Sequence, residues 1–257
     1  MDYGGQWNVS VYSAQSSFLN PSLRCDMVAF LENKLWFPDP RHYTEYMDEG
    51  LLAVGGEMSV ERLRLAYSMG IFPWTDRPVT WWCPDPRGIM ELDKIRVSRS
   101  LAKFKRKGVF HCTRDQAFEA VIRACAETPR PGSWITESFI RAYIRMHEAG
   151  YAHSVECWQQ NVLVGGIYGV SVGGLFAGES MFYRESNASK IALLHLVEHL
   201  RDRGYQLFDV QMVTPLTESL GAIHIRRNDY LDRLEDAMKH PCTFVPHAAD
   251  SSSESLS

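Results

Sequence analysis

The sequence predicts an α+β protein: a small mixed N-terminal domain, then a larger domain of two helices, an antiparallel meander, a helix and a returning strand. Three observations carry this. Phe118, Val121, Ile122 and Cys125, and then Ile140, Tyr143, Ile144 and His147, recur at helical spacing. The runs His153–Trp158, Val162–Val170 and Gly174–Phe182 are strand-like and separated by short polar or glycine-containing turns. Leu193, Leu196, Val197 and Leu200 then share one helix face, and Gln206–Met212 reads as a strand.

Taken in order, residues 1–35 show no sustained period and contain Gly4-Gly5 and Asn20-Pro21. They read as an extension, ordered only where it docks. The small domain spans residues 36–92 and is dense in turn residues and tryptophan. It begins with Trp36-Phe37-Pro38-Asp39-Pro40 and continues with Gly50-Leu51-Leu52-Ala53-Val54-Gly55-Gly56. Ser59 caps a short helix whose apolar face is Val60, Leu63 and Tyr67, and Gly70 ends it. Ile71-Phe72-Pro73-Trp74 and Trp81-Trp82-Cys83-Pro84-Asp85-Pro86-Arg87 follow as a stiff aromatic surface, in which core packing is the ordinary role of a tryptophan. The large domain covers residues 93–242. Thr113-x-x-Gln116 reads as a capping box for its first helix, Thr136 caps the second, and Asn187 caps the third, which Gly204 ends. Residues 243–257 finish in Ser251-Ser252-Ser253-Glu254-Ser255-Leu256-Ser257, too polar to bury, and are expected to be disordered.

Composition narrows the function classes. The chain is 45% hydrophobic and 23% charged, ordinary for a globular enzyme. No apolar run approaches the roughly 20 residues a membrane helix needs, and the N-terminus lacks the basic-then-apolar order of a signal peptide. The six cysteines are scattered without C-x-x-C spacing, so reduced thiols are expected rather than a zinc or redox site. Between Lys94 and Lys107 lie seven basic residues and no acid: Lys94, Arg96, Arg99, Lys103, Lys105, Arg106 and Lys107. Removing that +7 from the net charge of −4 leaves −11. A basic patch on an acidic chain is either a solvated helix face or one localised contact with phosphates, and not a surface for sliding along a duplex.

The chemistry concentrates in Gly178-Glu179-Ser180-Met181-Phe182, Asn187-Ala188-Ser189-Lys190 and Asp209-Val210-Gln211. Side chains alternate along a strand, so Asp209 and Gln211 point one way, and Phe208 and Val210 point into the core. A carboxylate and a carboxamide at the end of a strand need partners if buried. Glu179 lies on a neighbouring strand. Either these acids pair with Arg or Lys as structure, or they form a site.

The order helix, helix, meander, helix, strand resembles the GCN5-related acyltransferase (GNAT) fold. From Trp36 to about Leu234 the chain also resembles the leucyl/phenylalanyl-tRNA–protein transferase family. The collinear matches are the Gly50–Gly56, Gly70–Trp74 and Trp81–Arg87 motifs, Val97-Ser98-Arg99-Ser100, Trp134-Ile135-Thr136, His153–Trp158, Val164–Val170, Phe176–Phe182 and Ser219-Leu220-Gly221-Ala222. The resemblance implies a cytoplasmic enzyme that moves Leu or Phe (or Met) from aminoacyl-tRNA to acceptor proteins beginning with Arg or Lys, marking them for degradation. It implies no metal and no coenzyme. It also implies that Trp74, Trp134, Phe176, Glu179, Asp209 and Gln211 line the site. Two positions depart from the family pattern. Val210 replaces the usual cysteine of Asp-Cys-Gln, and Leu216 stands where a histidine is common.

Such a reaction is aminolysis of the ester joining the amino acid to the terminal ribose. A free α-amine, with a pKa of about 7.7–8.0, has a useful neutral fraction near neutrality. The enzyme must position two substrates, accept one proton and stabilise an oxyanion. Asp209 and Glu179 are expected to make a negative pocket for a cationic acceptor. Gln211 orients the amine through its carbonyl oxygen while Asp209 holds its amide, and the proton leaves through the ribose 2′-hydroxyl or a water. Trp74 and Trp134 offer faces for the terminal adenine, and Phe176 with nearby aliphatics receives the transferred side chain. The helix N-terminus at Asn187 is either a phosphate site or an ordinary cap. Arg96, Arg99, Lys103, Lys105, Arg106 and Lys107 contact the tRNA backbone. Two other readings use the same features. One is an acyl-CoA-dependent acetyltransferase, against which Arg184-Glu185-Ser186-Asn187-Ala188-Ser189 lacks the glycines of a pyrophosphate turn. The other is a tRNA-binding protein without catalysis, which has no need of Glu179, Asp209 and Gln211 together.

Overall fold

The computed structural model describes residues 28–42, 50–129 and 134–245. Most of the expected N-terminal extension, Cys25, and the serine-rich tail lie outside these residues. The end of the extension is nonetheless built into the fold. Strand β1 (Ala29–Leu31) pairs in parallel with β2 (Leu51–Gly55). With β3 (Phe72–Asp76) and β4 (Val79–Trp82) these make a four-stranded sheet in the order β1-β2-β4-β3. Helix α1 (Val60–Ser68) sits between β2 and β3 in the chain. Ser59 caps it as expected, accepting the Arg62 N–H, and Leu63 and Tyr67 are buried.

The second sheet has seven strands. They are β5 (Arg87–Met90), β6 (His111–Arg114), β7 (Ala152–Gln159), β8 (Val162–Val172), β9 (Leu175–Tyr183), β10 (Leu207–Gln211) and β11 (Ile223–Ile225), in the spatial order β11-β5-β10-β9-β8-β7-β6. The expected meander is β7-β8-β9, antiparallel throughout. β10 returns parallel to β9, which requires a crossover, supplied by α5 (Ala188–Asp202). β5 precedes residue 93, yet it belongs to the large sheet, between β10 and β11. The reason is hydrogen bonding: β5 covers the β10 edge that a domain boundary near residue 92 would leave open.

Helices cover both faces of this sheet. α5 packs on one face, where Leu193, Leu196, Val197 and Leu200 meet Val155, Ile167, Phe176 and Phe208 in one core. α3 (Phe118–Glu127), α4 (Glu137–Glu148), α1 and α7 (Arg227–Met238) supply the other. That core runs from Leu31 through Trp81 and Tyr143 to Ala237, so the small sheet and the large one share it. Among the described residues no helix is long and apolar enough to cross a membrane.

Two capping expectations fail. Thr113 does not open α3. It lies in β6 opposite Glu156, to which its hydroxyl donates at 2.5 Å while accepting the Trp158 indole N–H at 2.8 Å. α3 starts at Phe118, after Ala117, with no side-chain cap. Pairing with the β7 edge outweighs the local capping signal. Asn187 does precede α5, but its backbone is left-handed (φ 67°) and its side chain makes no cap bond. Thr136 caps α4 as expected.

Candidate active site

Two bulges build the site. In β9, Ser180 pairs with Tyr168 and Gly178 with Gly169, so Glu179 is the extra residue. In β10, Asp209 pairs with Ile89 and Gln211 with Gly88, so Val210 is the extra one. A bulge bends its strand and re-aims the side chains beside it. Gln211 consequently adopts φ 60°, uncommon for a residue other than glycine. Gly88 accommodates the bend, since a β-carbon there would lie 2.9 Å from the Met212–Val213 backbone. Phe208 and Val210 pack on the α5 side, as alternation requires.

Asp209 is fully buried and fully partnered. Arg87 reaches it twice, Nε donating to Oδ1 at 2.9 Å and Nη2 to Oδ2 at 2.6 Å. Tyr230 donates its hydroxyl to Oδ2 at 2.9 Å, and the Gln211 main-chain N–H donates to Oδ1 at 2.7 Å. The guanidinium lies 4.8 Å from the Phe72 ring centre and 4.5 Å from that of Tyr230, and also donates to the Gly70 carbonyl. Burial disfavours the Arg87 charge, but Asp209 and Tyr230 beside it raise its pKa above the usual value, so the guanidinium stays charged. The expected shared negative pocket is therefore corrected: the Asp209 charge is neutralised by Arg87. Asp209 also holds Gln211 by its main chain, not by its amide.

Glu179 meets no cation among the described residues. Tyr67 donates to Oε1 at 2.8 Å, Tyr143 to Oε2 at 3.2 Å, and the Gln211 amide donates to Oε1 at 2.7 Å. The two tyrosine hydroxyls also touch each other. Three oxygen–oxygen contacts among these groups share only two hydroxyl protons. With Glu179 ionised both hydroxyls donate to it, and with Glu179 protonated one of them is released to donate to the other tyrosine. Burial raises the Glu179 carboxyl to about 7, against the lowering effect of its donors. Tyr67 and Tyr143 are held well above their usual range, chiefly by burial and next by the Glu179 charge, so they remain donors. The Gln211 amide oxygen has no partner among the described residues.

Trp74 and Trp134 each stand three contacts from one of these carboxylates. Trp74, half-buried, lies 6.1 Å from Phe72, whose ring faces Arg87. Trp134, also half-buried, lies 5.2 Å from Phe139, which stacks on Tyr143 at 6.1 Å. Thr136 donates to Asp76 at 2.6 Å, tying the two tryptophan-bearing segments together.

Phe176 lies elsewhere. It pairs with Phe208 on the α5 face, is 1% exposed, and stacks under Phe244 at 5.5 Å. The expectation that it lines an open pocket with Glu179 and Asp209 does not match this packing, because strand alternation puts it behind them. Asn187 is likewise no open phosphate cradle. Ala188 and Ser189 are buried, and a β-carbon on Gly165 would lie 2.5 Å from the Ala188 β-carbon, so β8 closes the helix start. The same packing argues against a coenzyme A pyrophosphate there.

The basic run forms a short helical turn (Leu92–Lys94) and α2 (Arg99–Arg106), anchored by buried Leu101. Arg96, Arg99, Lys103, Arg106 and Lys107 are exposed, whereas Lys105 pairs with Glu198. The Arg96 N–H donates to the Leu220 carbonyl at 2.9 Å. That bond sets the patch beside α6 (Pro215–Ser219), the helix that follows Gln211. Leu216 packs on the α5 core. One group among the described residues has cation-ligand types: Asp115, His147 and His153. Both imidazoles are engaged, His153 with Asp115 at 2.7 Å and His147 with the Ala152 carbonyl at 2.8 Å.

A sequence model described as leucyl/phenylalanyl-tRNA protein transferase matches residues 89–235, and one for the N-terminal domain of the same proteins matches residues 56–85. The chain belongs to this family. The leucyl/phenylalanyl-tRNA–protein transferase of Syntrophotalea carbinolica is 52% identical over 202 residues, covering 77% of this chain and 88% of the relative. Those of Pseudoalteromonas atlantica and a Shewanella species are 48% and 44% identical, covering 82% and 90% of this chain and 92% and 95% of the relatives. Among solved structures, L-PGS from Bacillus licheniformis aligns with 60% of the chain and 51% of its own at a TM-score of 0.34 and 13% identity, too remote to bear on the argument. The match over residues 89–235 includes Glu179 and Val210, and hence both bulged residues.

Reading the sequence missed Arg87, Tyr67, Tyr143 and Tyr230. Tyr67 and Tyr143 carried only an apolar-face signal. Arg87 ended a motif, but its carboxylate partner is 122 positions away.

Proposed function

We propose that this protein transfers leucine or phenylalanine from aminoacyl-tRNA to the N-terminus of proteins that begin with Arg or Lys. The observation that carries the mechanism is the 2.7 Å bond from the Gln211 amide to Glu179, which leaves the Gln211 carbonyl oxygen free to accept from an attacking amine. Glu179, with a carboxyl near 7, takes the amine proton as the ester carbonyl is attacked. This replaces the ribose hydroxyl or water as the first acceptor. Glu179 is also the carboxylate without a cation, so it draws the cationic acceptor. Asp209 is a positioning residue: with Arg87 and Tyr230 it fixes the backbone that aims Gln211.

Trp74 and Trp134 supply stacking faces for the terminal adenine. Arg96, Arg99, Lys103, Arg106 and Lys107 take tRNA phosphates, and Lys105 contributes only if it leaves Glu198. Phe176 forms an apolar wall behind the strands, against Phe208 and Phe244. A GCN5-like reading of the larger unit is supported by the meander, the α5 crossover and the parallel β9–β10 pair.

The test mixes the protein with Leu-tRNA, Phe-tRNA or acetyl-CoA and an Arg-initiated peptide, then weighs the peptide. A leucyl or phenylalanyl mass shift is expected. An acetyl shift overturns the proposal, and tRNA binding with no shift favours a non-catalytic tRNA-binding protein.

A further inference from the structure

The scattered cysteines are not all isolated in space. β6 and β7 are antiparallel neighbours, and Cys112 and Cys157 are directly opposed across them. Opposed residues in such a ladder have α-carbons about 4.5–5.5 Å apart, within the span a disulfide bridges. Their sulfurs lie 3.0 Å apart, and both are thiols. Nothing has to move far for the bond to form.

The two thiols differ in setting. Cys157 is fully buried in the core beneath α5. Cys112 keeps part of its surface exposed. A sulfur hydrogen bond from Cys157, then His195 on α5 and His111 beside it, favour the Cys112 thiolate and hold its pKa far below the usual thiol range. Cys157 is correspondingly pushed up, by that same pairing and by burial, with Glu156 adding to it. Burial instead pushes Cys83 up to about 11 and raises Cys242.

We propose that Cys112 and Cys157 form a reactive dithiol that a hydroperoxide converts into an intramolecular disulfide. Cys112 is the attacking thiolate and Cys157 the resolving thiol. In the first step the Cys112 sulfur attacks the peroxide O–O bond, giving a sulfenic acid and releasing the alkoxide, which is hydroxide when the oxidant is hydrogen peroxide. In the second, the Cys157 sulfur displaces that hydroxyl, its proton leaves with it as water, and the S–S bond forms. Two electrons pass from the thiols to the peroxide, and a dithiol reductant reverses the change. The bond covalently ties β6, the outermost strand on that side of the sheet, to β7.

The test exposes the full-length protein to hydrogen peroxide, alkylates remaining thiols, and maps peptides without reduction. The expected product is a Cys112–Cys157 linked peptide with two alkylations lost per chain, formed roughly tenfold or more faster than oxidation of any other cysteine. Cys157→Ser should stop at a dimedone-trappable sulfenic acid on Cys112, and Cys112→Ser should give neither product. Wild-type mapping decides the matter even if a variant fails to fold. Free alkylation of both thiols after peroxide, or oxidation of Cys112 to sulfinic acid without a link, overturns the proposal.

Discussion

Asp209, fully buried, and Glu179, half-buried, are carboxylates on adjacent strands, both joined to Gln211, and their surroundings are opposites. Asp209 meets a guanidinium held between two aromatic rings, and every lone pair direction is used. Glu179 meets only neutral donors. The first arrangement neutralises its carboxylate with a guanidinium. The second leaves a group whose protonation changes near neutral pH. Within one site, pairing with a cation makes a carboxylate structural, and withholding the cation makes it chemical.

The largest test of this contrast is Arg87→Leu. It leaves the Asp209 charge buried and unpaired, and should cost about 3–5 kcal/mol of stability in denaturant unfolding. Replacing both partners, Arg87→Met with Asp209→Leu, should recover much of that stability while turnover stays low, because the Gln211 backbone loses its anchor. If the double variant also regains turnover, the pair does not position Gln211. Next is Gln211→Ala, expected to lower kcat by about 10²–10³-fold with the fold intact by circular dichroism. Near-normal turnover would remove Gln211 from the mechanism.

Glu179→Gln tests the other half. The folded Glu179 carboxyl is raised from 4.5 to about 7, so the folded state holds its proton more tightly than the unfolded chain. Wild-type stability contributed by this group is therefore full below about pH 4.5 and lost as pH rises to about 7. The variant should lack that loss, gaining on the order of 3 kcal/mol relative to wild type between pH 4 and pH 8. It should also lose the limb near pH 7 in the kcat/KM profile, leaving the titration of the acceptor amine. A wild-type-like profile in the variant would show that Glu179 is not the proton acceptor.

The smallest effects lie on the patch. Lys103→Gln or Arg106→Gln should weaken tRNA binding a few-fold and flatten the logarithmic salt dependence by about 0.7–0.9 per contact. Lys105→Gln should change little, since that ammonium is already paired with Glu198. Equal losses at Lys103 and Lys105 would place the tRNA differently.

Periodicity sufficed for the helix faces, the meander and the α5 crossover, because each depends on apolar spacing within one segment. Motif order was enough to pick out Glu179, Asp209 and Gln211 and to place the chain in its family. Other features rest on pairings between distant segments. Arg87 meets Asp209, Tyr67 meets Tyr143, and Cys112 meets Cys157 only after strands and helices have found their neighbours. The bulges at Glu179 and Val210, which decide where those side chains aim, exist only relative to a partner strand. Phe176 shows the same limit: its residue type suits a substrate pocket, but alternation and Phe244 place it in a closed core. By itself the sequence determined the family and marked Glu179, Asp209 and Gln211 as candidates. The tertiary structure decided which carboxylate meets a guanidinium and which is raised toward neutral pH among uncharged donors, because desolvation and pairing are properties of a residue's surroundings.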